Sequence, residues 1–180
     1  MDRGNDRGNG SSVRPLAMSL TVAGAILRLL PHPPNFAPVG GMSLYAGARL
    51  RGWQAFALPL LLMAVTDPIL GGYSIATPFV YLSFMISVWI GRRVRSTDSP
   101  LRIGGACLLS SVQFFVLTNL ATWTFGSLYA KSFAGLTTCY VAALPFFGAT
   151  MLGDLFFTAA IFGAYTLLAR TIDRSEAARA

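Results

Sequence analysis

An all-α bundle of six membrane-crossing helices, with both termini on the cytoplasmic side, is the fold class predicted by three features of this 180-residue chain. It is 54% apolar and 12% charged, with a mean hydropathy of +0.58, too oily for a water-facing domain of this size. Its apolar residues gather into stretches at 16–30, 36–50, 54–71, 76–91, 101–123 and 136–169. Of the 14 basic residues, all but Arg28 and Lys131 fall in alternate gaps: Arg3, Arg7 and Arg14; Arg49 and Arg51; Arg92, Arg93, Arg95 and Arg102; Arg170, Arg174 and Arg179. Basic loops stay in the cytosol, which places the gaps at 31–35, 71–75 and 124–135 outside and locates the chain in the inner membrane of the cell.

Residues 1–15 contain a repeated Asp-Arg-Gly-Asn and read as a disordered cytoplasmic arm. The transmembrane domain is 16–170, and 171–180 is a short cytoplasmic tail. The first stretch follows Arg14 as a signal peptide would, but Arg28 and Pro31-His32-Pro33-Pro34 offer no small-residue cleavage site, so it is retained as a helix. Stretch 36–50 covers only about 22 Å against a ~30 Å hydrocarbon core. Counting it as a crossing keeps the four arginines of 92–102 inside. Stretch 136–169 is too long for one straight span, and Pro145 with Gly148 is expected to divide it.

The net charge of +7 is shared among short loops, which implies topology and contact with anionic lipid rather than nucleic acid. Cys107 and Cys139 read as two buried thiols. No metal-ligand cluster, cofactor motif or nucleophile motif is present, His32 is the sole histidine, and no enzyme activity is expected. Lys131, the sole lysine, stands before Ser132 in an outer loop and not in a phosphate-binding loop, so no ATPase is encoded.

Polar groups concentrate toward the outer side. Arg28, His32, Asn35, Asp67, Tyr73, Tyr81, Asn119, Trp123, Tyr129 and Lys131 lie there, and Asp154 nearer the middle. Ionisable groups in a membrane cost about 2.5–3.5 kcal/mol on insertion scales, so they face a cavity or one another. Asp154 shares a face with Thr150 and Thr158 and serves either a ligand or a helix-to-helix hydrogen bond. Asp67 precedes Pro68, which favours an N-cap for a short turn through Leu70. Arg28 snorkels, pairs with Asp67 or Asp154, or clamps an anionic ligand group. Ser111, Phe115, Thr118, Asn119 and Thr122 make one face of the fifth helix, with Trp123 at its exit. Trp123, Tyr73 and Tyr129 form an aromatic belt or, with Phe36 and Tyr81, line a pocket for a planar ring. Four prolines stiffen 31–38 into a rigid outer lid edge, with Asn35 as its polar contact. The candidate substrate-binding set is therefore Arg28, Asn35, Asp67, Tyr81, Asn119, Trp123 and Asp154.

The run from Pro31 to Gly40, Asp67 before a Gly-rich turn, and Asn119 with Trp123 resemble an uncharacterised family of bacterial membrane transport proteins. That family is similar in layout to the substrate-binding S-components of energy-coupling-factor (ECF) vitamin transporters, a likeness covering about 16–170. The resemblance implies capture of a small vitamin-like molecule from outside, energised by a separate coupling subunit and two ATPases. It also implies that small residues of the first helix, here Ala17, Thr21 and Ala25 with Ser19 and Ala23, meet that subunit. Two other readings are an ion-coupled carrier and a non-catalytic membrane scaffold. The carrier would rest on an inverted repeat relating Ala57-Leu58-Pro59 and Asp67 to Ala143-Leu144-Pro145 and Asp154.

The sidedness is directly testable in a chain whose Cys107 and Cys139 are replaced by serine. Cysteine introduced by Ser96→Cys should react with an impermeant maleimide only from the cytosol, and by Ser74→Cys only from outside. The reverse pattern would overturn the topology.

Overall fold

The computed structural model describes residues 6–178. Six helices and no strand occupy them: α1 Asp6–Leu29, α2 Val39–Arg49, α3 Gln54–Leu70, α4 Thr77–Arg93, α5 Pro100–Phe125 and α6 Phe133–Ala177. Two, α5 and α6, are long and apolar enough to cross a membrane; α3 and residues 15–29 of α1 are shorter apolar helices.

The 11-residue α2 is the axis of the fold. Its residues are small or apolar all round, and every position from Val39 to Ala48 is buried. It touches each of the other five helices, and these close a ring around it in the order α1, α3, α4, α5, α6 and back to α1. A helix apolar on every face needs this complete enclosure. Glycines set the spacing. A Cβ at Gly47 would stand 2.0 Å from the Val88 carbonyl oxygen, and one at Gly91 2.1 Å from that of Leu44, so α2 and α4 run backbone against backbone.

Polarity is inverted relative to a water-soluble bundle. Thr21, Ser43, Ser83, Ser87, Ser110, Ser111, Asp154 and Thr158 are buried, whereas Ile26, Leu61, Val65, Ile69, Leu144, Leu152 and Phe156 are exposed. Many of the buried hydroxyls donate to the carbonyl one turn earlier: Thr21 to Ala17 at 2.9 Å, Ser83 to Phe79 at 2.8 Å, Ser87 to Ser83 at 3.0 Å and Ser111 to Cys107 at 3.1 Å.

One end of the bundle is pinned by arginines. Arg49 donates to the carbonyls of Arg95 and Thr97 at 3.0 and 3.4 Å and pairs with Asp98, while Arg95 donates to the Leu50 carbonyl. Arg92 reaches Gly52 O at 3.4 Å. The loop 94–99 is thereby tied to the turn after α2, and burial with the neighbouring Arg92 and Arg51 charges lowers the Arg95 pKa from its usual value.

Helix α1 begins at Asp6, inside the stretch expected to be an arm, and α6 continues through the expected tail to Ala177; residues 1–5 and 179–180 lie outside the described ones. Helix α6 is continuous through Pro145 and Gly148, since proline deletes a single ladder bond. It nevertheless shifts against α5 there. Contacts advance along α5 from Ser111 to Asn119 while they retreat along α6 from Asp154 to Cys139, almost twice as many residues. Antiparallel straight helices advance equally, so the register between α5 and α6 changes across this interval, where Phe115 still meets Phe147 and Tyr140. Ala17, Thr21 and Ala25, expected to meet a partner, are 1%, 0% and 4% exposed and pack inside the chain.

Gly47→Ala should destabilise the purified protein by about 1–3 kcal/mol, because the added methyl meets backbone that cannot rotate away. Gly104→Ala, with open space at its Cβ, should be neutral or gain up to about 1 kcal/mol from helix propensity. Thermal unfolding in detergent checks both.

Candidate functional site

The proline-rich segment is the first determinant. Phe36 N–H donates to the Pro33 carbonyl at 3.0 Å, with Pro34 and a left-handed Asn35 (φ 62°) between them. Proline followed by a residue at positive φ is the signature of a type II turn, and asparagine tolerates that conformation better than most side chains. The turn sends the chain inward. Phe36 packs on Phe156 and Phe157, ring centroids 5.7 and 5.5 Å away, and a Cβ at Gly153 would lie 3.0 Å from Phe36 Cα. Residues 36–38 are thus a wall set into the bundle, while residues 31–35, Asn35 included, are exposed. Because the wall descends to the level of residues 153–157, α2 starts deep inside.

Two cavities adjoin this wall. The first, about 180 Å³, is lined by Arg28, Asn35, Gly40, Ser87, Ser110, Phe114, Thr150 and Asp154, with Ala37, Val39, Val80 and Phe84. The second, about 230 Å³, lies between α5 and α6 and presents Phe115, Thr118, Asn119, Phe146 and Phe147. Asn35, Phe114 and Thr150 border both.

Asp154 is 6% exposed. The Ser111 hydroxyl donates to its Oδ2 at 2.7 Å. Gly40 passes so close that a Cβ there would sit 2.0 Å from Oδ1. The carboxylate therefore lies beside the first turn of α2, whose cap carries no side-chain hydrogen bond and whose macrodipole favours a negative charge. Among the described residues the ion pairs are Arg28–Asp67 and Arg49–Asp98, so Asp154 has no basic partner and no donor reaches Oδ1.

Arg28 is held from behind. Its Nη2 lies 2.6 Å from Asp67 Oδ1, its Nη1 donates to Thr66 Oγ1 at 2.5 Å, and Tyr81 donates its hydroxyl to Asp67 Oδ2 at 2.6 Å. Asp67 is not the N-cap expected of it, because α3 runs on through Pro68 to Leu70 and the Asp67 carbonyl instead accepts from Gly71 and Gly72 at its end. A proline near the last turn costs little when the preceding residue can stay helical.

Of the sequence-derived candidates, Arg28, Asn35 and Asp154 meet at the first cavity and Asn119 lines the second. Asn119 spends its amide N–H on the Phe115 carbonyl at 2.8 Å, leaving its oxygen for the cavity. Asp67 and Tyr81 stand behind Arg28. Trp123 lines neither cavity: its indole N–H donates to the Ala130 carbonyl at 2.9 Å, and Lys131 closes the same loop on the carbonyls of Trp123 and Gly126. Tyr73 donates to the Ala64 carbonyl at 2.7 Å, so the expected ring pocket of Trp123, Tyr73, Tyr129, Phe36 and Tyr81 is replaced by Phe84, Phe114, Phe115, Phe146 and Phe147. His32 contacts only the Pro33 carbonyl.

Ser87, Ser110 and Gly40 were missed. Their signal was Ser83 and Ser87 one turn apart on α4 facing a glutamine on α5: Gln113 donates to the Ser83 carbonyl at 2.9 Å and to Ser87 Oγ at 3.1 Å, and Ser110 donates to Ser87 at 2.5 Å. Among the described residues no group of three His, Cys, Asp or Glu is arranged for a metal. Both cysteines are free and buried.

The chain belongs to a family of unknown function, DUF6580, which it matches over residues 10–177. No curated protein and no solved structure matches it.

Arg28→Met should cost about 3–5 kcal/mol, since it strands a largely buried carboxylate, and Arg28→Met with Asp67→Leu should recover much of that loss. A double-mutant cycle of unfolding free energies measures the coupling.

Proposed function

We propose that this chain is a multi-pass protein of the inner membrane that binds a small, partly polar nutrient from the outer side, as the substrate-binding part of an uptake system driven by partner subunits. The observation that carries the reading is the convergence of Arg28, Asn35, Thr150 and Asp154 on one cavity inside an otherwise apolar bundle. Ionisable groups held in such surroundings are costly unless they serve a ligand or each other.

Three features support the membrane placement. The apolar exterior of α3 and α6 would be a liability in water and costs nothing in hydrocarbon. Arginines crowd the end carrying Arg49, Arg51, Arg92, Arg93 and Arg95, the expected cytoplasmic side; the two cavities beside Asn35 lie toward the other, and a third, apolar one of about 660 Å³ opens near Asp98 and Pro100. Helix α2 is only about 16 Å long, so the second pass is shared with the segment before it, of which residues 36–38 are partly or fully buried and Asn35 and Ala37 line a cavity.

A binding subunit fits better than a catalyst, because the cavity walls offer hydrogen-bonding groups and rings without a paired nucleophile and base. The likeness in layout to S-components of ECF transporters suggests a coupling subunit and ATPases as the energy source. Docking of that partner would use lipid-facing surface, since the small-residue face of α1 is occupied within the chain.

Mass spectrometry of the protein purified in detergent should reveal a co-purifying small molecule whose addition raises the melting temperature. Asn35→Ala and Thr150→Val should each weaken its binding about 10-fold, or roughly 1.4 kcal/mol, without loss of fold. An empty protein that no nutrient-class compound stabilises would remove the reading.

A further inference from the structure

We infer that the first cavity selects a small organic cation, an amine-bearing molecule with a flat or aliphatic body, and that Asp154 is its counter-ion. The inference rests on the cavity being a binding site and names the chemistry of what enters.

Arg28 and Asp154 are the charged side chains that line the two cavities beside Asn35. They are not equivalent. The guanidinium of Arg28 is already matched: Asp67 takes one nitrogen at 2.6 Å and Thr66 the other at 2.5 Å, and the Tyr81 hydroxyl fixes the far oxygen of Asp67. An anionic ligand would compete with a carboxylate that is part of the fold. Asp154 has only the Ser111 hydroxyl on Oδ2, and Oδ1 faces the cavity beside Gly40 without a donor. Two carboxylates therefore stand against one guanidinium, and the unmatched one is the group in the wall.

A carboxylate enclosed this thoroughly is stabilised by a charge-assisted donor far more than by another neutral one. An ammonium group at Oδ1 would supply both the missing charge and the missing hydrogen bond. The remaining lining suits the body of such a molecule. Phe84 and Phe114 lie with ring centroids 5.1 Å apart and form an aromatic face, which also attracts cations, while Val80 extends the apolar side. Asn35 offers its amide, and Ser110 and Thr150, whose hydroxyls donate to Ser87 and to the Phe146 carbonyl, offer acceptor oxygens to an N–H. A cavity near 180 Å³ admits one substituted ring or a short branched chain, with the second cavity available to a longer substituent.

The test uses the full chain in nanodiscs of zwitterionic lipid at neutral pH and three probes of one shape: benzylamine, benzyl alcohol and benzoate. Calorimetric titration should show benzylamine binding at least about 10-fold more tightly than benzyl alcohol, with benzoate weakest. Asp154→Asn, which keeps an acceptor for Ser111, should erase the preference for the amine over the alcohol. Phe114→Trp should weaken all three by filling the cavity. Benzoate binding as tightly as benzylamine, or an amine preference surviving Asp154→Asn, would overturn the inference. Binding of the alcohol that Phe114→Trp removes, without any preference for the amine, would overturn the charge selectivity and leave the binding cavity standing. Failure of all three probes to bind would remove both.

Discussion

A helix of 11 residues surrounded on all sides by five others is the constraint from which the rest of this structure follows. Enclosure of α2 needs near-contact of backbones, which Gly47 and Gly91 allow against α4 and which Gly40 and Gly41 allow against α6. The same shortness obliges residues 31–38 to complete the distance to the bundle's end in a non-helical form that turns at Pro34-Asn35. Prolines at 31, 33, 34 and 38 make that form inexpensive, since they have little conformational freedom to lose and no N–H to leave unsatisfied. The polar cavity is the volume this segment leaves unfilled, so packing of α2 and creation of the site are one event.

Within that volume the polar groups divide into two classes. Arg28, Thr66, Asp67 and Tyr81 form a closed set in which each charge has a partner. Such a set ties α1, α3 and α4 together at one end of the ring and contributes orientation more than net stability, because desolvation offsets much of the Coulomb gain. Asp154, Asn35, Thr150 and Ser110 form an open set: no donor among the described residues reaches Asp154 Oδ1, and the Thr150 and Ser110 hydroxyls, which donate to the Phe146 carbonyl and to Ser87, keep oxygen lone pairs to accept. On the proposed reading, sealing the first set would make the second selective, because a free Arg28 would neutralise Asp154 and leave a site with no preference of sign.

Hydropathy and charge periodicity carried the helix count, order and approximate limits, because apolar stretches and basic gaps are local properties of the chain. The central role of α2 was not legible: its stretch looked like the weakest crossing by length, and burial on every face depends on glycine contacts with helices 40 to 110 residues away. Arg28, Asn35 and Asp154 stood out as polar residues in apolar surroundings. Trp123 stood out for the same reason, yet its indole is consumed by a carbonyl seven residues on, a loop geometry that spacing does not reveal. Asp67 was legible as a polar anomaly but not in its role. Proline at 68 points to a break, whereas the helix tolerates it and the aspartate turns toward Arg28. The aligned residues of the apparent repeat, Asp67 and Asp154, end in opposite circumstances, one paired and one not, which a symmetrical ion pathway would not predict.

Beneath the cavity the layer around α2 is closely packed, and the larger hollow of about 660 Å³ lined by Ile103, Gly104, Leu155, Thr158 and Phe162 lies between α5 and α6. Met42, Leu44 and Tyr45 of α2 are buried to 1% or less, Tyr45 packs edge-on against Phe162 and Tyr165, and Arg49 lies over both of those rings before reaching the 94–99 loop. Opening a route through this layer would mean separating α2 from α4 where Gly47 meets Val88, and from α6 where Gly41 meets Thr158, contacts with no slack. Closely packed interiors of this kind shift between discrete arrangements rather than deform by degrees. On the proposed reading, then, a molecule held at Asp154 leaves by the side it came from unless the bundle moves as a body. On that reading the chain would behave as a receptor served by a separate motor rather than as a channel or a self-contained carrier.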